Sequence, residues 1–162
     1  MIDAKWHVLV QEKLTLARSL FRQLDQEVAV HSALERESLR EGSVLMLEQA
    51  RLLLLQHIAR TCQHKDPVVR DLQELRALLG EDHAEVALLE SLLEQRDNWW
   101  QTLDGWLAWL RRPRPGKTRP QPDNIIAVAS NDGPDMGPEQ RHRVADAMAA
   151  YLAEFSERHG EW

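Results

Sequence analysis

The sequence predicts an all-α fold: an antiparallel helical bundle of four to five helices, with a Pro/Arg-rich linker before the last helix. Three observations carry this. Apolar residues recur about every 3.6 positions across residues 4–110, the spacing that lines one face of a helix. Cap-type residues stand at the ends of the apolar runs. Four prolines then interrupt residues 111–122, and a final amphipathic stretch opens at Pro138.

The first helix is expected from about Asp3, its N-cap, to Val30. Its stripe is Trp6, Val10, Leu14, Ala17, Leu20, Phe21, Leu24 and Val28. Ser32-x-x-Glu35 reads as a capping box, in which each side chain satisfies the other residue's backbone N–H. It opens a second helix running to about Gln63. Between Val44 and Ile58 apolar residues point almost all round, as in a helix central to its bundle. Gly42 marks a bend or a close helix contact in it.

Asp66-Pro67 reads as the start of the third helix, because proline fits the first helical position. Leu72, Leu75, Leu78 and Leu79 face inward, and Gly80 is the C-cap. Asp82-x-x-Glu85 opens the fourth. The 3–4 spacing survives Asp97-Asn98, so one helix from Asp82 to Leu110 is expected, with room for a kink there. Trp99, Trp106 and Trp109 widen its apolar face, and that flank needs a cover. Ile125, Ile126 and Val128 are the expected cover. The last helix runs from Pro138 to about Arg158, with Val144, Met148, Tyr151, Leu152 and Phe155 inward.

Three parts follow: a bundle over 1–110, a basic proline-rich linker over 111–122, and 123–162, where a short apolar piece precedes a C-terminal helix packed on the bundle. Charge divides the same way. Residues 1–110 hold 12 Lys/Arg and 18 Asp/Glu. The linker holds five basic residues and no acidic one, and 123–162 hold three against eight. The acidic bundle disfavours nucleic acid.

The start, Met1 to His7, has no basic region followed by an apolar stretch, which argues against a signal peptide. The Leu52–Leu55 run is far shorter than the roughly 20 residues of a membrane span. One cysteine, Cys62, suits a reducing compartment, so a cytoplasmic location without membrane attachment is expected.

Chemistry is sparse. A single Glu-x-x-His, Glu139 to His142, is half of what a di-metal bundle needs. No phosphate-binding glycine loop or His-Glu-x-x-His is present. His57 and His64 fringe the end of the second helix, where the macrodipole favours histidine. The reading is therefore no catalytic residue, no cofactor and no metal. Interaction candidates are Trp99, Trp106 and Trp109 on the wide flank, and Arg111, Arg112 and Arg114 in the basic segment.

Arg60-Thr61-Cys62-Gln63-His64 resembles the Arg-x(4 to 6)-His of the paired-helix HEPN class, many of whose members are ribonucleases or nucleotidyltransferase partners. The spacing here is one residue shorter and lies earlier in the chain. That resemblance implies an RNA-acting bundle as the alternative function. Trp6 before a long helix, the Leu-rich second helix, Asn124-Ile125-Ile126-Ala127 and the closing Glu161-Trp162 together resemble a small helical family of pseudomonads and related bacteria, a domain of unknown function. That likeness implies a cytoplasmic bacterial helical protein and no site residues. The favoured expectation is a non-enzymatic module that binds an unknown protein partner or forms a homodimer.

Overall fold

The computed structural model describes residues 4–26, 30–62, 65–113 and 133–160. They form six helices and no strand: α1 (Ala4–Leu24), α2 (Ala33–Thr61), α3 (Leu72–Leu79), α4 (Ala84–Glu94), α5 (Trp99–Leu110) and α6 (Pro138–His159). Backbone contacts link α1 to α2, α2 to α5, α5 to α6 and α6 to α1. Those four close a ring.

Side-chain pairs give the directions. Trp6 meets Arg60, and a Cβ built on Gly42 would meet Leu20, so α1 and α2 are antiparallel. His7 pairs with Ser156 and Asp25 with Arg141, so α1 and α6 are antiparallel too. Trp99 meets Tyr151 and Trp106 meets Asp135, so α5 and α6 are antiparallel as well and the ring runs up-down-up-down. Phe21, Leu47, Leu54, Leu89, Leu103, Met148 and Phe155 fill the centre, buried from solvent. α2 touches α1, α3, α5 and α6, which is why its apolar residues extend almost all round it. Gly42 marks the approach of α1 rather than a bend.

Ser32 caps α2 through the expected capping box. The third helix differs from expectation. Asp66 has φ +44°, and α3 begins later, with Asp71 accepting from Glu74 N at 2.7 Å. Between them Val69 is buried, and its carbonyl accepts from Gln56 Nε2 at 3.1 Å. These contacts fasten the segment to α2 before a helix can form. Gly80 ends α3 at φ +97°, a conformation that favours glycine.

The expected long fourth helix is two helices. Asp97 adopts φ +55° and Asn98 joins the pieces. Its Nδ2 donates to Gln95 O at 2.8 Å, and its Oδ1 accepts from Gln101 N at 2.8 Å. One buried amide thus closes α4 and caps α5. The apolar spacing runs on across the joint, so periodicity could not reveal it. His83, not Asp82, caps α4, because Glu85 turns inward instead of reaching back. The first helix ends at Leu24, short of Val30. α6 is the fourth wall of the ring rather than an addition to a finished bundle. Asp3, Ile125, Ile126 and Val128 lie outside the described residues.

Candidate functional site

α6 carries the dipeptide Arg-His twice, at Arg141-His142 and Arg158-His159. Each dipeptide grips one carboxylate from another element. At the N-terminal end, Arg141 Nη2 lies 2.6 Å and His142 Nε2 2.8 Å from the two oxygens of Asp25, just past the end of α1. Arg141 also donates to Met136 O at 2.6 Å. At the other end Arg158 donates twice to Glu85, 2.9 Å each, and His159 Nε2 lies 2.9 Å from Glu85 Oε1. Glu85 sits in the first turn of α4 and Arg158 in the last turn of α6, so both charges complement their helix dipoles.

The clasps differ in burial. Glu85 is 2 % exposed, whereas the Asp25 side chain is 30 % exposed. Burial alone would raise the Glu85 pKa, but the Arg158 and His159 hydrogen bonds and charges outweigh it and hold it below its ordinary 4.5. The Asp25 pKa lies below 3.8 through the same balance: burial raises it, and His142 and Arg141 prevail. Burial beside Glu85 pushes the Tyr151 phenol upward, and it pushes the Cys62 thiol upward as well. Such a thiol is poorly nucleophilic.

Depressed carboxylate pKa values stabilise the fold above the unfolded-state values, and that stability is lost as pH falls through the folded ones. Thermal melts should therefore show a falling Tm below about pH 4.5, with a steep acid limb that flattens in Glu85→Gln. A wild-type Tm constant from about pH 6 to about pH 3 would contradict this.

The same lower end of the bundle holds His57, fully buried, between His7 (ring centroids 6.0 Å) and Phe155 (5.1 Å). His7 Nδ1 is 2.9 Å from Ser156 Oγ. Arg60 lies 4.8 Å over the Trp6 ring and 2.6 Å from Asp66, so its guanidinium is engaged within the fold. His64 lies outside the described residues. His142, the histidine of Glu139-x-x-His142, turns to Asp25. Among the described residues no group of three or more His, Cys, Asp or Glu is placed to hold a metal ion.

The tryptophan candidates separate. Trp99 is buried and meets Tyr151 edge-on at 6.4 Å. Trp106 is 1 % exposed, and its indole N–H donates to Asp135 O at 3.0 Å. Trp109 is 38 % exposed; a Cβ built on Gly133 would come within 3.1 Å of its ring, and Arg112 lies 5.8 Å from its centroid. Arg111 is exposed, and Arg114 lies outside the described residues. Trp106 and Trp109 thus meet the 133–137 turn, which leads into α6. A cavity of about 480 Å³ lies between that turn, Trp109, Arg40 and Arg141.

A second concavity lies between α4 and α6. α4 packs its backbone on α3 and reaches α6 through the Glu85 clasp. Beyond the clasp a groove of about 360 Å³ opens over Leu88, Leu92, Trp99, Ala147, Ala150 and Tyr151. A small depression bordered by Asp97 and Arg143 continues it, sharing Trp99 and Ala147. Sequence reading missed this groove. Leu88 and Leu92 fall outside the apolar stripe read from the sequence, and the hidden α4–α5 joint borders the groove at Gln95 and Trp99. No family model, curated protein or solved structure matches this chain.

Proposed function

We propose that the protein is a non-enzymatic interaction module that receives a helix of another protein in the α4–α6 groove. The observation that carries this is the shape of its walls. α6 presents Arg143, Ala147, Ala150 and Glu154, and α4 with α5 presents Leu88, Leu92, Gln95 and Trp99. The α6 row repeats at three or four residues, the spacing of a helix ridge beside which another helix can lie, and it faces Leu88 and Leu92 on α4, Gln95 at the joint and Trp99 at the start of α5. Ala147 and Ala150 are small enough for close approach. Leu88 is a large apolar side chain left 42 % exposed on one wall. The ionisable groups near the groove support a structural role, since Arg158 and His159 both bond to the buried Glu85.

A cytoplasmic location, which a single free cysteine suits, and kinship with the pseudomonad family belong to the same proposal. None of the described helices is long and apolar enough to cross a membrane. The groove is tested by titrating a model amphipathic helix, with a leucine stripe and a glutamine polar face, into isotopically labelled protein. Amide shifts should cluster around Leu88, Trp99 and Ala150. Ala150→Glu, at an exposed position, should weaken binding about tenfold or more without lowering Tm. Shifts confined elsewhere, or unaltered affinity in the variant, would overturn the reading.

A further inference from the structure

The kind of helix the groove takes can be read from the charge around it; this rests on the interaction reading above. The trough runs along α6 from Arg143 to Glu154, eleven residues on, or about 17 Å at 1.5 Å per residue. A partner helix of about three turns matches that length. Its floor is apolar, so the face it receives is an apolar stripe.

Four charged side chains border the trough. Arg158 is spent on Glu85, which grips it from beneath. Arg143 and Asp97 stand at one end and Glu154 at the other. Residues 65–97, which carry α3 and α4, add a background: they hold four Lys/Arg against nine Asp/Glu, a net −5, or −3 once Arg60 and Arg158, paired to Asp66 and Glu85, are counted. The whole chain is −6. The groove therefore lies in a negative field, which favours a cationic partner and raises its on-rate. A second copy of this chain would bring the same net charge to the contact.

We infer that the occupant is a basic amphipathic helix of a partner protein, an apolar stripe flanked by Lys or Arg, rather than a second copy. Three model helices with one leucine stripe and Lys, Gln or Glu on the polar face discriminate the possibilities. The full chain is titrated with each at low and at near-physiological salt, and its sedimentation is measured alone. The Lys-faced helix should bind about tenfold tighter than the Glu-faced one at low salt, and the gap should narrow as salt screens it. Asp97→Asn together with Glu154→Gln should cut that preference about threefold; asparagine also tolerates the positive φ of residue 97. Equal binding of all three helices overturns the charge assignment and leaves the groove reading standing. Binding by none of them overturns both. A dimer that Ala150→Glu dissociates also overturns the inference, because the groove would then belong to a second copy.

Discussion

Replacing Glu85 with alanine is expected to cost about 3 kcal/mol of unfolding free energy, the lower end for breaking a buried ion pair, and to lower Tm by roughly 6–12 °C. Glu85 is 2 % exposed and accepts from Arg158 and His159. Arg158 and His159 are about a third exposed, so they regain some water when the carboxylate is removed. That partial rehydration sets the estimate at the lower end. The Asp25 clasp has a more open carboxylate but a buried cation, Arg141 being 6 % exposed, so Asp25→Ala should cost about 1–3 kcal/mol, the range for a buried donor that loses its partner. Adding Arg158→Ala to Glu85→Ala should cost less than the separate losses sum to, because no orphaned cation remains. A Glu85→Ala loss below about 1 kcal/mol, measured by urea unfolding, would show that the carboxylate is hydrated in the fold.

The helices were legible where local signals agree with packing. Ser32 and Glu35 cap each other with no help from the rest of the chain, and α2 begins where they predict. Gly80 ends α3 because its own φ requires glycine. The losses came where a distant partner overrides a local signal. Asp66-Pro67 has the chemistry of a helix start, but Gln56 and the core hold Val69 outside any helix. Asp82-x-x-Glu85 has the spacing of a capping box, but the pull of Arg158 across the bundle turns Glu85 inward. Asp97-Asn98 breaks a helix without disturbing its apolar period, since a left-handed residue and a re-capping amide restart the next helix nearly in phase.

The site was less legible for a related reason. Arg-His at both ends of α6 is visible in the chain, but the two carboxylates are contributed by elements 116 and 73 residues away. No spacing rule connects them. The groove is harder still, because it is a gap between walls, and a gap depends on how far α4 stands from α6. The tryptophan stripe was legible as an apolar flank, yet its three members have three environments. Trp99 floors the groove, Trp106 is sealed in the core and Trp109 edges the other cavity.

Those environments predict unequal costs. Trp106→Ala should destabilise the protein by about 3–5 kcal/mol, the range for emptying a large aromatic site in a core. Two losses combine there. The cavity left behind cannot be filled by neighbours already close-packed, and Asp135 O loses the indole donor that holds the turn at the entry to α6. Trp106→Phe separates them in part. It keeps much of the apolar volume but removes the N–H with part of the ring, so its cost should be about 2–3 kcal/mol, below that of the alanine variant. Trp109→Ala, at a partly open ring, should cost about 1 kcal/mol or less. Native-state hydrogen exchange gives the sharper test. If Trp106 anchors the turn, Trp106→Phe should speed exchange of amides around residues 135–141 while those of α2 stay protected, because a lost tether opens a segment before it opens a core. Uniform acceleration across all helices would instead mean that the indole acts by volume alone, and that the 133–137 turn is held by Arg141 and its bond to Met136 O.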